Sequence, residues 1–252
     1  MEKDKQTTTK RAKPQPPKVD PGTEQVLQFK LTLDDFKPRT WRRVQIGSTA
    51  TMLQFATVVM ELFHMMGGHL YAFTFPETTK TLPKRRQIFE PPCVRIAFFT
   101  EDDWDAPDGE RSFDVADPSL TLAAVLDRFP CKKLAFEYDY GDGWGITILF
   151  EKALPVGAKA AAKDLPCVLK GEGYGIVDDC GGPWGLTQLV KLVRRRAAGL
   201  PIKDTGDDEP LRLQWLDDLH PEAAEALLTP EAFDLDAANA AIRPMIEHHR
   251  KD

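Results

Sequence analysis

Apolar and polar side chains alternate from Val26 to Leu33, with Leu27, Phe29, Leu31 and Leu33 on one side and Val26, Gln28, Lys30 and Thr32 on the other. A period of two predicts a strand with one face in the core. Leu33-Asp34-Asp35-Phe36-Lys37-Pro38 reads as a turn, and Trp41-Arg42-Arg43-Val44-Gln45-Ile46 as a second strand that ends at Gly47. Met52, Phe55, Val59, Leu62 and Phe63 then recur at helical spacing. Ser48 or Thr49 stands where a helix cap is wanted, and Gly67-Gly68 where a helix stops. Leu70, Ala72, Phe73 and Phe75 mark a third strand. Residues 25–76 therefore predict a β-β-α-β unit, a start of the β-grasp kind.

Beyond a polar loop at 77–92, Cys93 to Thr100 predicts a strand, 101–112 an acidic loop, and Leu120 to Phe129 a short helix opened by Asp117-Pro118 or Thr121. Leu134, Phe136, Tyr138 and Tyr140 alternate with Ala135, Glu137 and Asp139, and Trp144, Ile146, Ile148 and Phe150 alternate on the return. Gly141-Asp142-Gly143 between two such runs is a hairpin signal. Residues 155–183 read as a Gly- and Pro-rich loop. Helices are predicted at Trp184–Arg196, Leu211–Leu219, Pro221–Leu228 and Leu235–His249. The fold class that follows is α+β: a mixed sheet, a central β-hairpin and C-terminal helices. Its parts are a polar, disordered tail at 1–24, a core domain at 25–198 and a helical extension packed on it at 199–252.

Composition narrows the function classes. With 42% apolar and 29% charged residues the chain is globular rather than disordered. No run approaches the roughly 18–20 apolar residues of a membrane span. MEKDKQTTTKR lacks the apolar segment of a secretory signal, so a cytoplasmic protein with unpaired cysteines is expected. The net charge of −6 disfavours a bulk electrostatic grip on nucleic acid. Residues 198–252 carry 13 acidic and 5 basic side chains, so a basic partner would prefer that end.

Several motifs, read in order, make the chain similar to a known family. They are VLQFKLTLDDFKPRTWRRVQI with the later MMGGHLYAF, FEYDYGDGWGITILFEKALP, LPCVLKG, DDCGGPWGL and LQWLDD…PEAFDLDAANAAI. Together they resemble the Ri-plasmid open-reading-frame-three-like family, also known as the insertion-sequence passenger "TnpR" family. The resemblance covers about residues 25–243. It implies a compact α+β fold and a role that is mostly unknown, with an association with plasmids and mobile elements and a suggestion of a transposition accessory. A resolvase is not supported, since no serine nucleophile ringed by arginines can be placed. The family's histidine-rich motifs appear here as Gln54-Phe55, His69-Leu70-Tyr71-Ala72-Phe73 and Trp144-Gly145-Ile146, so one of four histidines remains.

The chemistry-bearing residues are His69, Asp139, Asp142, Asp178, Asp179 and Cys180. Imidazole, carboxylate and thiolate are the ligands of zinc and other divalent transition metals. Taken singly the same residues are ordinary: Asp142 a turn residue, Asp178-Asp179 an Asx pair, His69 the start of a strand. Cys180 stands just before a helix, where a thiol can become reactive, and Cys167 with Cys180 could hold half of a zinc site. Trp144 and Trp184 are candidate aromatic binding surfaces. Adjacent strand residues face opposite ways, so Arg43 and not Arg42 shares the face of Trp41, as a candidate phosphate contact. These features favour a non-enzymatic interaction or accessory module that binds an unknown protein partner. The alternative is a metal-dependent hydrolase or nucleic-acid-processing enzyme using His69 and the acidic loops.

Overall fold

The computed structural model describes residues 15–76, 93–98, 114–115, 120–202 and 209–247. Lys84-Arg85-Arg86, the acidic loop, Asp117-Pro118 and His248-His249 lie outside these residues. In chain order the elements are β1 (Gln25–Leu33), β2 (Trp41–Gly47), α1 (Met52–Leu62), β3 (Tyr71–Pro76), β4 (Cys93–Phe98) and β5 (Asp114–Val115). Next come α2 (Leu122–Arg128), β6 (Lys133–Tyr138), β7 (Trp144–Pro155), β8 (Cys167–Glu172) and α3 (Gly182–Ala197). Then follow α4 (Glu209–Asp218), α5 (Pro221–Leu228), α6 (Leu235–Ile242) and α7 (Pro244–Glu247).

The strands form one sheet in the order β5-β4-β3-β6-β7-β1-β2-β8. The pairs are antiparallel apart from β4 with β5. The fold is α+β, with the β-β-α-β start, the central hairpin of β6 and β7, and the helices at the C-terminal end. Leu27, Phe29, Leu31 and Leu33 are fully buried, as their alternation requires. Phe29 and Phe73 of the sheet lie 4.9 Å and 5.5 Å from Phe55 of α1, so the helix covers this face through an aromatic cluster. Each of these rings contributes roughly 1.5–3 kcal/mol by burial.

Two local details depart from the sequence reading. The cap of α1 is Thr51, whose hydroxyl accepts from Gln54 N while the Gln54 side chain accepts from Thr51 N, a reciprocal capping box. Ser48 is unavailable because its hydroxyl accepts from Gln25 N at 2.9 Å. The predicted Leu235–His249 helix is two helices, α6 and α7, divided at Pro244, which has no N–H to continue the ladder.

Strand β8 has no counterpart in the predicted loop at 155–183. Its sequence, CVLKGE, is too polar to alternate clearly, because it is an edge strand paired on one side with β2. On its other side Asn239 of α6 donates to Val168 O at 3.0 Å and accepts from Val168 N at 2.8 Å, which satisfies part of the open edge. Helix α6 also packs on α1, while α4 and α5 pack on α3.

Arg42 is buried, opposite Trp41 and Arg43. Its guanidinium donates to Leu62 O at 3.1 Å, Trp41 O at 3.0 Å, Glu172 O at 2.8 Å and also to Tyr174 O. The rings of Phe63 and Phe233 lie 5.0 Å and 4.2 Å from it. Burial pulls its pKa down to about 9, so it stays charged at neutral pH. One side chain thus ties β2, the end of α1 and the segment after β8 together.

Candidate metal centre

Three turns meet at one end of the sheet. The first follows α1, where the chain reverses through His64 and Gly67, both at positive φ, before β3. The second joins β6 to β7 and starts at Asp139, also left-handed with φ 53°. The third precedes α3 and passes through Asp179 (φ 56°), Gly181 and Gly182. Asp tolerates the left-handed region because its short carboxylate bonds locally. Asp139 does so: its Oδ1 accepts from Gly141 N at 3.0 Å and Asp142 N at 3.2 Å.

Hydrogen bonds hold the turns to one another. Asp142 Oδ2 accepts from Gly181 N at 3.1 Å. Asp178 Oδ2 accepts from the Tyr138 hydroxyl at 3.0 Å and from Met66 N at 2.8 Å. The Tyr138 hydroxyl accepts in turn from Gly67 N, and Asp139 N donates to Leu70 O, both at 3.0 Å. Gly182 is required where it stands: φ is 69°, and a Cβ would lie 2.3 Å from Asp142 O. Burial, and then the Asp178 carboxylate, push the Tyr138 phenol well above its usual range, so it remains a donor.

The result brings three of the six candidate residues together. His69 Nε2 lies 3.3 Å from Asp179 Oδ1 and 3.8 Å from Asp139 Oδ2. The three ligand atoms all fall within 4.8 Å of one another. Tetrahedral zinc bonds of about 2.0–2.1 Å place neighbouring ligand atoms about 3.3 Å apart. The spacing therefore suits one divalent ion with little movement. Asp139 presents Oδ2 to the cluster because Oδ1 is held by its own turn. The His69 side chain is 32% exposed and that of Asp179 74%, so the cluster opens to solvent. Tyr138 meets the His69 ring edge-on, with the ring centroids 5.6 Å apart.

The remaining candidates lie elsewhere or act differently. Asp142 and Asp178 brace the turns, and Asp178 Oδ1 is a buried acceptor without a hydrogen-bond partner. Cys180 is fully buried, 3.9 Å from Gly182 O, and does not join the cluster. Burial and then the carboxylates of Asp142 and Asp178 push its thiol up to about 12, an environment that disfavours a reactive thiolate. Trp144 is 1% exposed and covers the core, so it is no binding platform. Trp184 is 59% exposed, in the first turn of α3. Arg43 shares the outer face with Trp41, where Lys30 Nζ lies 4.4 Å and the Arg43 guanidinium 5.5 Å from the ring. Glu151 takes both Arg43 Nε and Nη2 at 2.8 Å, so this guanidinium is already matched to a carboxylate. The bonds from Glu151 raise the Arg43 pKa further. The sequence reading missed the Tyr138–Asp178 brace and the Arg42 strap. A tyrosine in the alternating row of a buried strand face was the available signal for the first.

Fold and site define an α+β protein with a His–Asp–Asp cluster at one sheet end. The chain belongs to the plasmid pRiA4b ORF-3-like protein family, whose model matches residues 25–237. It is 29% identical over 168 residues to the uncharacterized protein y4hQ of Sinorhizobium fredii (strain NBRC 101917 / NGR234), covering 67% of this chain and 73% of that one. The crystal structure of MM3350, a protein of unknown function from Methanosarcina mazei Go1, shares the fold with a TM-score of 0.57 at 19% identity. That likeness covers 85% of this chain and 98% of the other. The family is one of uncharacterised proteins. Among the described residues no helix is long and apolar enough to cross a membrane.

Proposed function

We propose that the chain is a metal-dependent protein in which His69, Asp139 and Asp179 hold one divalent transition-metal ion, as in a hydrolase. The observation that carries this is the convergence of their three ligand atoms within 4.8 Å, from three separate turns. One imidazole and two carboxylates leave coordination positions for water and substrate, the pattern of catalytic rather than structural zinc. A bound ion would supply Lewis-acid polarisation and a water that ionises near neutral pH. The protein side supplies rigidity, through the turns braced by Asp142, Asp178 and Tyr138.

The test is metal content and titration calorimetry with zinc on the full chain. About one equivalent should bind, and His69→Ala and Asp179→Asn should each weaken binding by at least about tenfold, the usual cost of losing a ligand or its support. Asn accepts the left-handed backbone at 179, so loss of folding would not explain the result. Wild-type protein that takes up no zinc, manganese or iron would overturn the proposal.

A second reading, the interaction or accessory module, is favoured by a feature away from this cluster. A half-open cleft of about 780 Å³ lies between the end of α1, the segment after β8 and α6, lined by Glu61, His64, Tyr174, Phe233 and Ala238. His64 stacks on Tyr174 at 4.3 Å, and desolvation, then Arg42, hold its pKa down at about 4. A protein partner captured by the native chain and by His69→Ala, but not by the cleft-filling Ala238→Trp, would select this second reading.

A further inference from the structure

The cleft of about 780 Å³ beside α6 has a wall of two kinds of side chain. Most of it is apolar: Leu62, Phe233, Leu235 and five alanines. His64 and Tyr174 add a flat ring pair, stacked at 4.3 Å with their planes 15° apart. Such a wall suits an apolar chain or ring, which gains by leaving water. The volume falls within the roughly 300–1,000 Å³ of pockets that enclose one small molecule. A protein contact instead usually spreads over roughly 800 Å² on each partner.

Charge gives a second and independent constraint. The lining includes the acids Glu61, Asp234 and Asp236 and no Lys or Arg. Among the described residues no cation pairs with any of the three. Burial, and then the carboxylate of Glu222, push the Tyr174 phenol above its usual range, so a fourth acid acts on the same wall. Helix α6 starts at the cleft, and a bare helix N-terminus would draw an anion. Here Asp234 already caps it, accepting from Ala237 N at 2.9 Å, and Asp236 stands in its first turn. Arg42 lies behind the wall, 1% exposed and 4.2 Å from the Phe233 ring. Its donors are taken by four backbone carbonyls, so it has little to offer a ligand. One enclosed positive charge thus stands against three carboxylates on the wall.

We infer that this cleft is a binding site for a small organic cation, an ammonium group carried on an apolar chain or ring. The apolar body lies along Leu62, Phe233 and the alanines of α6, against the His64–Tyr174 pair. The ammonium end is held by the carboxylates of Glu61, Asp234 and Asp236. A purely apolar ligand would leave those acids unmatched, and an anion would be repelled by them. The site is separate from the His69–Asp139–Asp179 cluster, none of whose residues lines the cleft. It therefore stands whether or not that cluster takes a metal. A protein partner seated here is the competing outcome.

The test is calorimetric titration of the full chain with three probes that share one body and differ in charge: 4-phenylbutylamine, 4-phenylbutan-1-ol and 4-phenylbutanoate. The amine should bind about fivefold more tightly than the alcohol, the sum of a few part-exposed ion pairs, and the alkanoate more weakly than either. Raising the salt should shrink the advantage of the amine. The double variant Glu61→Gln, Asp236→Asn should bring amine and alcohol to within about twofold, with the alcohol unchanged. Ala238→Trp should abolish binding of all three, and His69→Ala should alter none. Equal affinity of the three probes for the wild-type chain, or tightest binding of the alkanoate, would overturn the cationic assignment. A preference for the amine that survives in the double variant would place it elsewhere, as would amine binding lost in His69→Ala. If Ala238→Trp fails to fold, the double variant still decides the matter. No binding of any probe at millimolar concentration would overturn the small-molecule site. Capture of a protein by the native chain but not by a folded Ala238→Trp would then give the cleft to a protein.

Discussion

Replacing Arg42 with Ala should remove about 3–5 kcal/mol of folding stability, among the largest effects of any single change in this chain. Four carbonyls, on Leu62, Trp41, Glu172 and Tyr174, lose their donor at once. A hydrogen bond from a charged group contributes about 1.5–3 kcal/mol, and relief of the desolvated charge returns part of the sum. The lowered pKa of about 9 is the sign of that desolvation. Arg42→Lys should rescue little, because one ammonium cannot span a fork that meets four acceptors. Equilibrium unfolding in urea measures both variants. A loss under about 1 kcal/mol for Arg42→Ala would show that water replaces the guanidinium without difficulty.

Gly182→Ala should be costly in a different way, at about 2–4 kcal/mol, because the new Cβ meets a backbone carbonyl and the backbone is left-handed. The contact is Asp142 O at 2.3 Å, with φ 69°. Relief requires the turn before α3 to move off the hairpin turn, which carries Asp179 away from Asp139. Zinc affinity should therefore fall by at least about tenfold in the fraction that remains folded. Gly68→Ala is the control, since nothing lies within 4 Å of a Cβ there. Thermal unfolding and zinc calorimetry read the two consequences separately. A Gly182→Ala protein with native stability and native zinc affinity would mean that the docking of the two turns is not what positions the cluster.

Much of the fold is legible in local patterns, and the exceptions have physical causes. The period-two runs of β1, β6 and β7 and the Asp-Gly turn report a sheet with one buried face. Edge strand β8 hides because half of its residues face solvent and its free side is closed by Asn239, a contact with no local signature. Thr51 with Gln54 is a capping box readable at i and i+3, yet Ser48 and Thr49 stand nearer the turn and distract from it. Pro244 alone divides the last helical pattern.

The site was legible as a set of residue types but not as a shape. His69, Asp139 and Asp179 come from positions up to 110 residues apart in sequence, and hydrogen bonds between turns decide which carboxylates face the imidazole. Asp178 and Asp179 are neighbours with opposite uses, one bracing Tyr138 and one facing His69. Nothing in the dipeptide separates them. Cys180 reads as a ligand by chemistry, but its buried side chain stands apart from the group of His69, Asp139 and Asp179, a difference the sequence does not show. Alternation alone did place Arg42 and Arg43 on opposite faces, but the four carbonyls that hold Arg42 come from three separate elements of the tertiary structure.

X-ray absorption at the zinc edge, on the full chain loaded with one equivalent, tests the central claim most directly. The expected ligands are nitrogen and oxygen at about 2.0–2.1 Å, with one imidazole and no sulfur, and the imidazole signal should be lost in His69→Ala. Sulfur at about 2.3 Å would instead place the ion on a cysteine, and would contradict the His69–Asp139–Asp179 centre.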